Sequence, residues 1–284
     1  MKSCLIVYYS LNHSTEKIAE KITAGLKQAG LETTLCNIKD KTCPNPLDYD
    51  LLGIGSPVYA FQIPMNVMSC LERFPDLNGK KTFAFLTHGS YMLNAGDMLK
   101  RVLLLKNAQI QGWYYSFGAD YFLPYNKQGC LPSYGHPSPE ELNTAQEFGL
   151  DMGKGINDMR WREVSQHPSF MYRMEQFLCR PWFVRNVYQK LFHLNKDQCI
   201  QCGLCIENCP AHNIHADAEG YPKWEHSCIM CLECEKTCPQ EAISSVVNGP
   251  IMKPFMNYNV KHIMNDPELT KVRVKHHHGK TEIV

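Results

Sequence analysis

The residues with the clearest chemical capacity are cysteines in the last third of the chain. CIQCGLCIENCP places Cys199, Cys202, Cys205 and Cys209 ahead of Pro210, and CIMCLECEKTCP repeats the arrangement with Cys228, Cys231, Cys234, Cys238 and Pro239. Thiols clustered in this way serve disulfides, zinc sites or iron-sulfur centres. A disulfide framework needs an oxidising compartment, which the N-terminus does not suggest. A zinc site commonly takes two separated CxxC pairs and would leave the third cysteine of each triplet without a role. The CxxCxxCxxxCP spacing instead matches the iron-sulfur run in which three neighbouring thiolates hold one cubane and the fourth crosses to another. That reading requires two copies, and two are present.

Over about residues 195 to 247 the segment resembles the bacterial ferredoxins that carry two [4Fe-4S] clusters. The resemblance implies that Cys199, Cys202, Cys205 and Cys238 ligate one cluster, and that Cys228, Cys231, Cys234 and Cys209 ligate the other. Gly203 suits a backbone bend close to a cluster, and the prolines after Cys209 and Cys238 end a short helix and redirect the chain. Between the runs, Gly220 and Pro222 predict a short hairpin. His212, His215 and His226 lie near the ligands, but eight thiolates complete two cubanes, so these histidines are expected in surface or packing roles.

The rest of the composition sets bounds. The chain has 284 residues, 14 cysteines and a net charge of +1, which gives no global field to attract nucleic acid or a membrane surface. Eight cysteines fall in the two runs and six are scattered, unlike a disulfide framework. MKSCLIVYYSLNHS lacks the length and cleavage site of a secretory signal, and no window is apolar for long enough to span a bilayer. A cytoplasmic location is therefore expected.

The elements ahead of the cysteines must position something else. Apolar, strand-like runs at 5 to 9, 33 to 38, 51 to 57, 82 to 90 and 109 to 117 alternate with helical patterns at 15 to 30, 64 to 74 and 95 to 105. Such alternation predicts an α/β fold with a doubly wound parallel sheet, in which ligands bind beyond the carboxyl ends of the strands. Those loops are SLNHST at 10 to 15, GSPVYAFQIP at 55 to 64 and THGSY at 87 to 91. The first opens onto a helix, where hydroxyls, an amide and free backbone donors suit a phosphate, although a plain N-capped helix start reads the same way. Tyr59 and Tyr91 are placed to cover a flat ring. No GxGxxG opens a helix after a strand, so a nicotinamide fold is not expected.

Over about residues 1 to 155 these loops resemble those of flavodoxin. The resemblance implies FMN, with Ser10, Asn12, His13, Ser14 and Thr15 at the phosphate, where His13 occupies a position at which flavodoxins favour glycine. It places Pro57, Val58 and Tyr59 along one side of the ring and Thr87, His88, Gly89, Ser90 and Tyr91 along the other. His88, Tyr59 and Tyr91 are the candidate proton donors if the flavin reduces a substrate.

The linear division expected is a flavodoxin-like domain over 1 to 160, a helical, aromatic and basic joint over 161 to 195, a small α+β ferredoxin module over 196 to 247, and a polar tail over 248 to 284. HPSPEEL at 136 to 142 starts a helix with Ser138 as cap and Glu141 in a capping box, expected to run to about Val164. Residues 160 to 196 carry seven Lys or Arg against Glu163 and Glu175, whereas residues 199 to 247 carry seven acids against Lys223 and Lys236. The basic joint is thus expected to pack on both the acidic module and the flavodoxin-like domain, the alternative being a surface that docks a redox partner or the membrane interface. The tail, with histidines at 276 to 278, is expected to be solvated.

This order of parts resembles the flavodoxin-ferredoxin fusions of anaerobic microbes. The function implied is electron transfer between two [4Fe-4S] clusters and FMN, with other redox proteins as partners. The alternative is a reductase of a small molecule fed through the clusters. A third reading is a flavin-free N-terminal domain that serves for docking.

Overall fold

The computed structural model describes residues 2–39, 43–159 and 169–284. The chain groups into two compact units, one of residues 1–119 with 135–167, the other of residues 120–134 with 168–284.

In the first unit, β1 (Ser3–Tyr8) leads through α1 (Ser14–Gln28) to β2 (Glu32–Asn37), followed by β3 (Leu51–Pro57), α2 (Met65–Glu72), β4 (Lys81–His88), α3 (Ala95–Leu105) and β5 (Gln109–Phe117). The short elements α4 (Leu123–Lys127) and β6 (Cys130–Pro132) belong to the second unit, and the first resumes with α5 (Pro139–Lys154) and the two-residue β7 (Asp158–Met159). The sheet order is β2-β1-β3-β4-β5-β7, with every pairing parallel. An order of 2-1-3-4-5 is the flavodoxin-like form of the doubly wound sheet, and it creates a switch point beside β1 and β3.

Both faces of the sheet are covered, which explains the near-continuous apolar runs of its strands. Cys4, Ile6 and Tyr8 of β1 join Ile18, Ile22 and Leu26 of α1 and Phe148 and Met152 of α5 in one buried cluster. The alternate residues Leu5 and Val7 are equally buried, as strand geometry requires for the opposite face.

The start of α5 follows its predicted chemistry. The Ser138 hydroxyl accepts from Glu141 N and the Glu141 carboxylate accepts from Ser138 N, a reciprocal capping box. Its end does not follow the prediction. The helix stops at Lys154 because Gly155 takes a left-handed conformation (φ 76°) and caps it, ten residues short of Val164. Residues 160–168, and with them Arg160, Arg162 and Glu163 of the basic count, lie outside the described residues.

The second unit contains α6 (Phe170–Leu178), α7 (Pro181–Asn186), β8 (His193–Leu194), α8 (Leu204–Glu207), β9 (Ile214–Ala216), β10 (Pro222–Trp224), α9 (Glu233–Lys236), β11 (Ile243–Ser244), α10 (Lys253–Asn265), β12 (Lys271–His277) and β13 (Lys280–Ile283). The predicted hairpin is the antiparallel β9–β10 pair, and β8 pairs with β11. The joint packs within this unit, with Val184 fully buried and Gln189 accepting from the Cys228 amide (3.2 Å).

The expectation of a solvated tail is corrected. Helix α10 buries Met256, Asn259 and Ile263, and β12 pairs with both β13 and β6 in a three-stranded antiparallel sheet. His276 and His277 are strand residues, and His278 lies in the turn, its amide donating to Glu241 (2.9 Å). The linear boundaries at 160, 195 and 247 therefore do not follow the grouping of the chain, because β6, encoded between β5 and α5, supplies the strand on which β12 docks.

Candidate functional site

The second unit holds the cysteines in two copies of one structure, offset by 29 residues as Cys228 is from Cys199. Helix α8 matches α9, β9 matches β11, and β8 matches the start of β10. The offset extends to backbone conformation. Gln201 and Gly203, flanking Cys202, have φ of 55° and 77°, and Met230 and Leu232, flanking Cys231, have φ of 57° and 60°. His212 and Glu241 repeat the pattern at 48° and 50°. Only Gly203 occupies such a position without steric cost, so the other residues are held there by the surrounding fold.

These turns bring amide hydrogens to sulfur. Asn213 N donates to Cys209 Sγ and Ala242 N to Cys238 Sγ, both at 3.3 Å, and Met230 N donates to Cys228 Sγ at 3.4 Å. Donors of this kind stabilise negative charge on sulfur.

The thiols gather into the two sets that the resemblance implies. Burial pushes the Cys205 thiol up to about 11, and nearby Cys238, Cys202 and Cys199 push in the same direction. The Cys234 thiol is raised by burial and by Cys231, Cys228 and Cys209. In each set the fourth cysteine comes from the other run. Cys199, Cys202, Cys205 and Cys238 also line one cleft together with Gly203, Gly220 and Pro239.

Mutual repulsion among buried thiolates means that a set can ionise fully only around cationic metal. Among the described residues, no three His, Cys, Asp or Glu converge as they would on a single ion. A cubane asks for a wider arrangement, because each thiolate binds a different iron.

Groups outside the runs complete this environment. The Trp224 indole N–H is buried with no hydrogen-bond partner, and the side chain lies by Cys234, where it favours the thiolate. The ring also stacks on Phe192, 5.5 Å between centroids. Arg185 of α7 lowers the energy of the Cys228 thiolate. The buried carboxylate of Glu235 accepts from Lys127 Nζ (2.8 Å), Ser245 N (3.0 Å) and Asn248 Nδ2 (2.8 Å). His226 meets Gln189 (3.3 Å) and His215 lies 3.6 Å from Glu225.

In the first unit the loops after β1, β3 and β4 are tied together by hydrogen bonds. His13 immediately precedes α1 in the left-handed conformation (φ 61°), the backbone state for which glycine is the usual residue. Its carbonyl accepts from Lys17 N, and its ring lies 2.6 Å from Glu16, whose carboxylate also takes the Tyr8 hydroxyl (3.0 Å). Ser10 Oγ accepts from Glu16 N (3.3 Å), and Thr15 Oγ1 meets Thr87 Oγ1 at 2.7 Å. Asn12 and Ser14 complete the loop, half-buried.

Val58 N donates to Thr87 O (2.9 Å), which holds the residues after Pro57 against the end of β4. Tyr59 and Gln62 exchange two hydrogen bonds around Ala60 and Phe61, both at positive φ, so the loop turns back sharply. Tyr59 meets Tyr9 edge-on, with centroids 6.1 Å apart. Gly118 closes on the same region, since a Cβ there would lie 2.8 Å from Ser14 Cβ.

His88 is neutral and its tautomer is defined. Burial holds its pKa down to about 4, and Nδ1 faces the Ser90 carbonyl at 2.9 Å, which can only accept. Nδ1 therefore carries the hydrogen and Nε2 is an acceptor. Phe117 packs on the His88 ring at 4.6 Å, and Gly89, Ser90 and Tyr91 continue the loop, half-buried.

Sequence reasoning missed Gly118, the Thr15 to Thr87 tie, Trp224, Arg185 and the β12–β13 hairpin. The hairpin alone left a readable signal, the His-Gly at 278 and 279 between two runs with β-branched residues.

Residues 198–243 match the family model of the 4Fe-4S dicluster domain. Solved structures similar to the N-terminal part include oxidised flavodoxin 1 from Bacillus cereus, at 18% identity over 55% of this chain and 99% of that one, with a TM-score of 0.44. Oxidised flavodoxin 2 from Bacillus cereus has 21% identity over 54% of this chain and 99% of its own, TM-score 0.44. The flavodiiron protein from Giardia intestinalis has 20% identity over 54% of this chain and 36% of its own, TM-score 0.41. No helix among the described residues is long and apolar enough to cross a membrane. The chain thus joins a doubly wound sheet of flavodoxin-like strand order to a ferredoxin-type iron-sulfur domain.

Proposed function

We propose that this protein transfers electrons between two [4Fe-4S] clusters and one bound FMN, exchanging them with other redox proteins in the cytoplasm of an anaerobic cell. The observation that carries the proposal is the pairing of three cysteines of each run with the fourth of the other, at matching positions of a duplicated backbone. When bound, the flavin supplies two-electron capacity and the clusters supply single-electron steps.

The residues present suit these groups. Cys199, Cys202, Cys205 and Cys238 would hold one cluster, and Cys228, Cys231, Cys234 and Cys209 the other. The amides of Asn213, Ala242 and Met230 supply hydrogen bonds that offset charge on the ligating sulfurs. At the switch point, the loop Ser10, Asn12, His13, Ser14 and Thr15 and the N-terminus of α1 offer hydroxyls, an amide and the positive end of a 15-residue helix to a phosphate. Pro57, Val58 and Tyr59 on one loop and Thr87, His88, Gly89, Ser90 and Tyr91 on another would flank the ring.

The reductase alternative asks a side chain at the flavin to deliver a proton. His88 is neutral near pH 7, and its one hydrogen is engaged by Ser90, so Tyr59 and Tyr91 carry that role if the reaction exists. Carrier function needs no such donor.

The test is anaerobic purification followed by paired assays of iron, acid-labile sulfide and released flavin per chain. About eight iron and one FMN are expected. About four iron would overturn the two-cluster assignment, and eight iron without flavin after reconstitution would overturn the FMN assignment.

A further inference from the structure

Six cysteines lie outside the two runs, and three of them come together in the first unit. Cys36 is in β2, the edge strand of the sheet, Cys70 is in α2, and Cys43 stands between them. Cys36 Sγ and Cys43 Sγ are 2.8 Å apart. Cys43 also hydrogen-bonds Cys70, so its sulfur touches both neighbours. Cys36 and Cys70 are buried, whereas Cys43 is partly exposed. A disulfide requires sulfurs at about 2.05 Å, so less than 1 Å of movement separates Cys36 and Cys43 from a bond.

The three thiols are not equivalent. Cys43 alone combines exposure with a thiol neighbour at 2.8 Å, so its sulfur is the one that a small molecule reaches first, with buried Cys36 directly behind it. Cys4 and Cys130, by contrast, are buried and show no thiol neighbour.

We propose that Cys36 and Cys43 form a thiol-disulfide exchange pair that takes two electrons from its own thiols and passes them to a low-molecular-weight disulfide. Cys43, giving up its proton, attacks one sulfur of the small disulfide, a bond forms between them, and one small thiolate leaves. Cys36, giving up its proton, attacks Cys43 from 2.8 Å away, releases the second small thiolate and leaves Cys36 and Cys43 joined. Two protein thiols are oxidised, one small disulfide is reduced to two thiols, and the two protons lost by Cys36 and Cys43 pass to them. The proposal is independent of the flavin and the clusters.

The test uses the full chain, anaerobic and with iron content followed throughout. The protein is incubated with glutathione disulfide, alkylated, digested with trypsin and mapped by mass spectrometry. Expected is a cross-link between the peptide of Cys36 and the peptide that contains both Cys43 and Cys70, formed at constant iron and reversed by dithiothreitol. In Cys43→Ser the cross-link should be absent, although the same peptide still carries Cys70.

Complete alkylation of all three cysteines after treatment would overturn the proposal, as would a stable mixed disulfide with glutathione. Thiols that become alkylatable only after a chelator removes bound metal would also overturn it, in favour of metal binding. A cross-link that survives in Cys43→Ser would join Cys36 to Cys70 instead and would overturn the pairing.

Discussion

Thr15 Oγ1 and Thr87 Oγ1 stand 2.7 Å apart, a buried hydroxyl-to-hydroxyl bond that fastens the first turn of α1 to the end of β4. Each belongs to a different loop of the proposed flavin site, so one bond sets the spacing between the phosphate end and the ring end. Thr87→Val keeps the shape and removes the partner, leaving the Thr15 hydroxyl buried without its bond, at about 1–3 kcal/mol. Urea unfolding should show that loss, and FMN release should quicken with it. Unchanged stability would mean that the hydroxyls do not hold the loops.

His13 sits at φ 61° directly before α1, a region that costs a side-chain-bearing residue about 1–2 kcal/mol. His13→Gly should therefore fold with near-normal stability despite losing the contact to Glu16. His13→Val, β-branched, should lose about 1–2 kcal/mol or more. Thermal unfolding of the pair checks this, and equal midpoints for both variants would contradict the conformation.

Cys209 lies in the first run yet keeps company with Cys228, Cys231 and Cys234. Cys209→Ser should thus damage the centre assigned to the second run, while the set of Cys199, Cys202 and Cys205 retains its cluster. Cluster-resolved electron paramagnetic resonance of the reduced protein, with iron analysis, reports which signal is lost. Loss of the other signal would show that each run binds its own cluster without exchange.

Trp224→Phe keeps the stack on Phe192 and deletes the indole N–H beside Cys234. If that N–H turns to Cys234 once the proposed cluster is bound, its removal should lower that cluster's reduction potential by tens of millivolts, roughly, since hydrogen bonds to sulfur are among its determinants. Redox titration measures the shift, and a potential that stays or rises would assign the tryptophan to packing alone.

Burial raises the pKa of Glu175 to about 7, with Asn259 Nδ2 as its 2.7 Å donor. A carboxyl whose folded pKa exceeds its unfolded one adds stability that is complete below about 4.5 and is lost as pH rises through about 7. The loss approaches about 3 kcal/mol. Glu175→Gln should remove most of it, so the stability of wild type and variant should diverge with rising pH. Parallel pH profiles in urea unfolding would sink the assignment.

Local patterns made much of this molecule readable from sequence. LIVYY and TFAFLTH declare buried strands, and Ser138, Pro139 and Glu141 declare the start of α5. The doubled CxxCxxCxxxCP spacing marks an iron-sulfur segment in the sequence, while the division of its cysteines into two sets is what the ferredoxin resemblance implies. The pairing of β12 with β6 was not legible, since it links residues 271–273 to 130–132 across most of the second unit. The end of α5 was misread because Gly155 competes with a polar, helix-compatible continuation, and only its φ of 76° decides the matter. At the site, Gly118 and Thr87 act through proximity across separate strands, which no local spacing records.

The 29-residue duplication has a consequence for how this protein tolerates change. Each half lends its last cysteine to the other, so neither repeat is a self-sufficient unit of inheritance. On the proposed ligation, a break in the chain near Gly220 would give two fragments, each with three cysteines of one set and the fourth of the other. A cysteine lost from one half would then be felt in the other.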